Sequence, residues 1–165
     1  MLEVLEGIAQ VNNEWGIDHG AWSLLIHLFL KEDVPVVMLS VDGLANGQEM
    51  IEIGKRLSFL RDQGVLSLGS GNIVHNLRLV DFNQVDEVNF AKSFGDLVKQ
   101  DVLNRNWDSL IEYTGRVDSS LAIPTKDHSF PFLVILGVSC LADRCVVMNE
   151  GFELGFISMT SYLFE

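Results

Sequence analysis

Residues 67–78, S-L-G-S-G-N-I-V-H-N-L-R, decide the fold class predicted for this chain. The apolar run 65–68 ends in the turn Gly69-Ser70-Gly71, and His75 follows before an apolar segment resumes. Open α/β sheets hold their ligands where the carboxyl end of a strand meets such a turn. The stretch therefore predicts an α/β domain with a ligand site near His75.

The segments around this stretch predict a parallel sheet. Residues 34–41 (V-P-V-V-M-L-S-V) and 65–68 are short, apolar and partly β-branched, as in strands buried under helices on both faces. Residues 47–63 between them have helical periodicity and end at Gly64. A strand, a helix and a strand in this order form a right-handed unit with parallel strands. We expect a central, mostly parallel sheet flanked by helices.

The rest of the chain completes one α/β domain. The patterns predict helices at 1–10, 21–30 (buried), 85–105, 108–113 and 128–141, and closing strands at 144–148 and 156–163. In the third of these helices Phe90, Phe94, Leu97 and Val98 are expected to face inward. Thr125 or Asp127 is expected to cap the last helix. Because no repeat, linker or low-complexity tract interrupts the sequence, residues 1–165 are predicted to form a single domain.

Charge and composition exclude several functions. The net charge of −12 argues against binding to nucleic acids or to anionic membranes, both of which need clustered basic residues. The longest apolar run, 130–142, is too short to span a bilayer. Cys140 and Cys145 suit free thiols in a reducing cytosol, and the acidic first ten residues lack the basic region of a secretory signal. We predict a cytoplasmic protein.

Three of the four histidines are candidates for a site. His19, His75 and His128 each lie at a loop or element terminus, where functional residues concentrate, whereas His27 lies within an apolar helix and is interpreted as a core or groove histidine. Singly, each of the three is as readily a turn or capping residue. Together they favour a site, because imidazole is a common ligand of zinc and non-haem iron and transfers protons near neutral pH.

Four motifs in a fixed order resemble one enzyme family. They are W-G-I-D-H-G-A-W (15–22), V-P-V-V-M-L-S-V-D (34–42), S-G-N-I-V-H-N-L-R (70–78) and P-T-K-D-H-S-F-P-F-L (124–133). In this order the sequence is similar to the class III (LigB-type) extradiol ring-cleavage dioxygenases, in the branch that resembles 4,5-DOPA extradiol dioxygenase. The similarity continues to G-F-E-L-G-F-I-S-M (151–159).

The resemblance implies an α/β LigB-like fold and a metal-dependent enzyme that opens a catechol ring with O2, using Fe(II) or, in some members, Zn(II). It matches His75 and His128 to histidines of the metal site. His75 is alternatively the nearby acid–base residue. His19 matches a substrate-side histidine that hydrogen-bonds or deprotonates the catechol, and deprotonation requires a base within hydrogen-bond reach.

The sequence departs from the family pattern in one respect. The resemblance implies that two further metal-ligand histidines, in H-G-S-P and S-A-H-W segments, belong to an N-terminal third that this sequence lacks. We therefore expect an N-terminally truncated domain whose sheet edges are exposed. A truncated product, a split enzyme completed by an N-terminal subunit and a homodimer all remain open.

Three functional hypotheses follow. The first is a ring-opening dioxygenase, inactive alone if the missing ligands are not supplied. The second is a truncated, non-catalytic module that binds a partner or a small aromatic compound. A hydrolase with zinc-activated water fits the histidines but not the family motifs.

Overall fold

The computed structural model of the chain describes residues 2–31, 33–84 and 86–165. In these residues six α-helices are present: α1 (His19–Leu28), α2 (Gly47–Leu57), α3 (Asn89–Leu103), α4 (Trp107–Ile111), α5 (Ser119–Ala122) and α6 (Phe130–Val138). Four short strands follow: β1 (Cys145–Met148), β2 (Phe152–Glu153), β3 (Ile157–Ser158) and β4 (Ser161–Phe164). The predicted start of the third helix at residue 85 lies outside the described residues.

The α2 helix forms where the sequence predicts it. The Asn46 side chain accepts a hydrogen bond from the Glu49 amide, and the Glu49 carboxylate accepts one from the Asn46 amide, so both ends of a capping box are present. A 3-10 helix (Ser58–Gln63) continues α2 as far as Gly64, whose φ of 74° lies in the left-handed region that favours glycine. The predicted helix over 47–63 is confirmed in extent.

Two glycines let α2 and α6 pack closely. A Cβ on Gly54 would lie 2.0 Å from the carbonyl oxygen of Val134, and one on Gly137 would lie 2.1 Å from that of Ile51. Because no side chain fits at either position, the two backbones are in direct contact. This contact fixes α6, and with it the loop that precedes α6 and carries His128.

The core lies between α2, α6 and the α3–α5 layer. Its largest fully buried side chains include Met50, Phe94 and Phe130. The inward orientation predicted for Phe94 and Val98 of α3 is confirmed, but Leu97 is exposed and that part of the prediction is wrong. Phe90 packs against the core while remaining partly exposed.

The strand predicted at 144–148 is confirmed as β1, whereas the strand predicted at 156–163 is divided into β3 and β4, of which β4 pairs with β1. β1 and β4 form an antiparallel ladder with Cys145 opposite Phe164 and Met148 opposite Ser161. β2 and β3 form a second, shorter antiparallel ladder. The larger ladder packs against the core through Tyr162, whose ring lies 5.3 Å from that of Phe132 in α6.

The central parallel sheet is not found in the described part of the chain, where both ladders are antiparallel. Segments 34–41 and 65–68 have no regular secondary structure, and most of their apolar side chains are exposed rather than buried. Both segments have the composition of strands, but a strand needs a neighbouring strand to complete its backbone hydrogen bonds. The described residues do not provide one.

Three further predictions require correction. The helix predicted at 21–30 is α1, but none of its residues is buried. The first ten residues contain a short 3-10 helix (Leu2–Leu5) rather than an α-helix. The residue at the N-cap of α6 is Ser129, and no side-chain hydrogen bond caps the helix, so neither Thr125 nor Asp127 has the predicted role.

Within the described ranges, no helix is both long enough and apolar enough to cross a membrane.

Candidate active site around His75 and His128

His75 is held by the backbone on both sides. Its amide donates to the carbonyl of Ala122 at 2.9 Å, and it forms an isolated antiparallel bridge with Ile157. Its Nδ1 lies 3.0 Å from the carbonyl oxygen of Asn72. The residue is buried, so its ring has a fixed position between the glycine loop and the loop before α6.

These contacts determine which nitrogen of neutral His75 carries the proton. A carbonyl oxygen only accepts hydrogen bonds, so Nδ1 must be the donor to Asn72. The lone pair of the neutral ring is then on Nε2, which lies 3.3 Å from the hydroxyl of Thr125. A backbone carbonyl that fixes the tautomer in this way is the usual arrangement behind a metal-binding or proton-accepting histidine.

His128 lies directly against His75. The two ring centroids are 4.5 Å apart, with an angle of 38° between the ring planes. The His128 side chain is 44% exposed, and its Nε2 is 3.6 Å from a carboxylate oxygen of Asp127. The sequence-predicted pair is therefore brought together, with one buried ring and one ring open to solvent.

The electrostatics of the pair favour an uncharged His75. Burial lowers the pKa of His75, and the positive charge that His128 can carry lowers it further. A hydrogen bond from the Thr125 hydroxyl lowers the pKa of Asp127, and the nearby histidines add to the effect. These shifts favour the uncharged imidazole at His75 and the ionised carboxylate at Asp127.

The glycine loop, Gly69-Ser70-Gly71, holds the site together. A Cβ on Gly71 would lie 2.3 Å from the carbonyl oxygen of His128, so only glycine permits this contact. The preceding residue, Ser70, donates its hydroxyl proton to the carbonyl of Gly20 at 2.7 Å. One loop thus joins the His128 segment to the first turn of α1.

His19 is the first residue of α1 and is exposed. The Asp18 carboxylate caps the helix by accepting a hydrogen bond from the Gly20 amide at 2.8 Å. The His19 ring packs edge-on against Trp22, with 5.2 Å between ring centroids. The structure places His19 beside the residue that Ser70 contacts, but in the described part of the chain no hydrogen bond or ring contact joins it to His75 or His128.

His27 differs from its sequence-based interpretation. It lies in the last turn of α1 and is exposed, so it is not a core histidine in this structure.

The described residues provide only part of a metal site. His75 Nε2 and the His128 ring suit Fe(II) or Zn(II), which imidazole binds well. However, the described ranges contain no group of three or more His, Cys, Asp or Glu residues placed to hold a metal ion. Working zinc and non-haem iron centres use at least three protein ligands. The histidine pair fits two ligand positions and leaves the set incomplete.

Two polar residues of the site were not identified from the sequence. Thr125 was interpreted as a helix cap, yet its hydroxyl contacts His75. In the sequence, its position three residues before His128 is the signal that could have identified it as a site residue. Ser70 was treated as a turn residue, yet it joins the loop to α1 over a separation of 50 residues. A contact over such a distance in sequence is not visible in local patterns.

Comparisons with known proteins agree with the motifs. Residues 3–164 match the family described as the catalytic LigB subunit of aromatic ring-opening dioxygenase. The 4,5-DOPA dioxygenase extradiol of Escherichia coli K12 is 35% identical over 154 residues, which cover 89% of this chain and 56% of the relative. The protein of the same name from Beta vulgaris is 27% identical over 161 residues, which cover 96% of this chain and 60% of the relative.

A solved structure has the same fold. The crystal structure of an uncharacterized protein from Escherichia coli K12 superimposes with a TM-score of 0.90 at 33% sequence identity, covering 98% of this chain and 68% of that protein. This similarity supports the α/β class.

The family match and the similar crystal structure together identify an α/β domain of the LigB type. This chain belongs to the LigB family, as the match over almost its whole length shows. It spans little more than half the length of the curated relatives it matches, 56% and 60% of the first two.

Proposed function

We propose that this chain forms part of an extradiol dioxygenase that opens a catechol-type ring with O2. The observation that supports this proposal most strongly is the contact between His75 and His128, whose ring centroids are 4.5 Å apart at the end of the glycine loop. Two neighbouring imidazoles, one with its Nε2 lone pair beside the Thr125 hydroxyl and one open to solvent, support a metal site.

The proposed roles follow from the positions of the three histidines. His75 and His128 are proposed as ligands of Fe(II) or Zn(II), a metal that would bind the two catechol oxygens and support ring cleavage. His75 Nε2 is alternatively the acid–base group, since its lone pair beside the Thr125 hydroxyl can accept a proton. His19, exposed at the first turn of α1, is proposed to hydrogen-bond or deprotonate a catechol hydroxyl from the substrate side.

The proposal includes a further contribution from outside the described residues. Two histidines leave the metal set incomplete, so a complementing N-terminal subunit or a second copy of the chain would complete it. The free thiols of Cys140 and Cys145 support a location in the reducing cytoplasm.

A non-catalytic binding module is the second candidate. The absence of a three-ligand group from the described ranges favours it for the chain by itself. On this alternative the chain binds a small aromatic compound or a protein partner without turnover.

Metal content and oxygen consumption separate the two candidates. We expect the purified chain alone to bind Fe(II) or Zn(II) weakly and to consume no O2 with catechol in an oxygen electrode. An assembly that supplies the missing ligands is expected to bind one metal per site and to consume O2. If such an assembly holds one metal and catechol but consumes no O2, the dioxygenase proposal fails and the binding module is correct.

A further inference from the structure

Three groups of apolar side chains are exposed in neighbouring parts of the chain. They consist of the outward side chains of α1 (Trp22, Leu24, Ile26 and Leu28), of segment 34–38 (Val34, Val36, Val37 and Met38) and of segment 65–68 (Val65, Leu66 and Leu68). We name these residues the open face. Single exposed apolar residues are ordinary, but eleven in three neighbouring segments indicate an interaction site.

The backbone of the open face is also without partners. Within the described ranges, residues 34–41 and 66–70 form no backbone–backbone hydrogen bond. Their sequences are nevertheless those of strands. Unpaired amides and carbonyls in a strand-like segment are a template for another strand.

The three surfaces meet at one place. The Asp18 amide, at the start of α1, donates to the Met38 sulfur at 3.2 Å, which connects α1 to segment 34–38. The Ser70 hydroxyl donates to Gly20, which connects α1 to the end of the other segment. Since Gly71 contacts His128, the open face adjoins the histidine pair.

We propose that the open face binds a polypeptide equivalent to the part of the LigB relatives that this chain does not cover. That polypeptide pairs strands with segments 34–41 and 66–70 and packs apolar side chains on α1. The similar crystal structure supports this occupant, because this chain reproduces it with a TM-score of 0.90 while covering only 68% of it. That protein therefore contains a further part that the match to this chain does not include.

Charge disfavours a second copy of the chain as the occupant. Each chain carries a net charge of −12, so a homodimer would bring two strongly acidic molecules together, which like-charge repulsion opposes. A neutral or basic polypeptide with apolar strands meets no such cost. The inference rests on the proposed function only in that the same polypeptide would bring the missing metal ligands to the histidine pair.

The test is to produce the chain together with the part of the Escherichia coli relative that lies outside the 154-residue match. Sedimentation gives the stoichiometry, and hydrogen–deuterium exchange gives the protection of individual amides. We expect a one-to-one complex in which amides of 34–41 and 66–70 exchange at least about tenfold more slowly than in the chain alone. Protection limited to other segments would overturn the proposal, as would the same protection in a homodimer of the chain alone.

A matched pair of variants tests the contact itself. Val37 is 72% exposed, so Val37→Asp should leave the thermal stability of the chain unchanged while weakening the complex at least about tenfold. Val117, 83% exposed and outside the open face, provides the control Val117→Asp, which should leave binding unchanged. Equal binding by both variants would contradict the proposal.

Catalysis is measured separately, as O2 consumption with catechol. A complex that protects the two segments but consumes no O2 with catechol supports the docking proposal and refutes the proposed function. Oxygen consumption without protection of these segments supports the proposed function and refutes the docking proposal.

Discussion

Gly71 lies against the backbone of His128 so closely that a Cβ would be 2.3 Å from the His128 carbonyl oxygen. The φ of Gly71, 156°, lies in a region that residues with a side chain rarely adopt. This contact places the loop after residue 68 beside the loop before α6 and so brings His75 and His128 together. The glycine is needed for the geometry of the histidine pair.

Gly71→Ala is expected to destabilise the chain by about 1–3 kcal/mol, because the backbone of the 128 segment must move to accept the methyl group. It should also separate the two imidazole rings. Urea unfolding measures the first effect, and a change in the His128 ring resonances measures the second. Gly43→Ala is the control, since nothing lies within 4 Å of its Cβ position. Equal stability of the two variants would contradict the close contact.

His75 is expected to titrate below the ordinary histidine pKa of about 6.5, because burial and His128 both oppose its protonation. Below about pH 6.5 the unfolded chain takes up a proton that folded His75 resists, so this residue makes stability fall as the pH decreases through that range. Nitrogen-15 NMR should show the neutral ring protonated at Nδ1. A midpoint at or above the ordinary value would contradict the effect of burial, and a proton on Nε2 would show that the Asn72 contact is wrong.

The ion pair of Arg61 and Asp143 joins the 3-10 helix after α2 to the loop after α6, with 2.6 Å between Nη1 and Oδ2. Burial acts to raise the pKa of Asp143, but hydrogen bonds from Arg61 and Cys140 outweigh it and lower the pKa to about 2. A depressed carboxyl pKa contributes stability above the unfolded value of about 4. That contribution is lost as the pH falls from about 4 to about 2.

Asp143→Asn should therefore reduce the free energy of unfolding at pH 7 by about 1–3 kcal/mol and remove much of the acid sensitivity between pH 4 and 2. Unfolding curves at a series of pH values test this. The exposed pair of Lys92 and Asp96 gives the control Asp96→Asn, expected to change stability by less than about 1 kcal/mol. An unchanged pH profile in Asp143→Asn would refute the role of the carboxylate.

Gly54→Ala tests the contact between α2 and α6. Its Cβ would lie 2.0 Å from the Val134 carbonyl oxygen and 2.8 Å from the Gly137 Cα, so the helices must separate. We expect a loss of at least about 1–3 kcal/mol despite the better helix propensity of alanine. Thermal unfolding measures it, with Gly16→Ala, in open space, as the reference. A stabilised variant would mean that the helices do not meet at this point.

Local patterns predicted the elements whose formation depends on nearby residues. α2 has its cap at Asn46 and its stop at Gly64 within the same segment, so its sequence is sufficient to predict it. The β1 and β4 strands were also predicted, because each has a partner within the described part of the chain. A shared site for His75 and His128 was expected from their positions at loop or element ends, and the family motifs added their proposed roles.

The predictions that failed depend on contacts beyond the local sequence. Residues 34–41 and 65–68 have the composition of buried strands, but burial and pairing require neighbours that the described residues do not contain. The apolar α1 was predicted to be buried for the same reason. Apolar sequence shows what a segment needs to pack against, and it does not show whether the packing partner is present.

Metal affinity of the histidine pair tests the central claim most directly. Isothermal titration with Zn(II) is performed on the complemented assembly carrying the unchanged chain, His75→Ala or His128→Ala, with Asp96→Asn, an exposed carboxylate of α3, as the control. We expect one site whose affinity falls at least about tenfold in each of the first two variants and is unchanged in the control. Zinc affinity that is the same in all four assemblies would contradict the assignment of His75 and His128 as metal ligands.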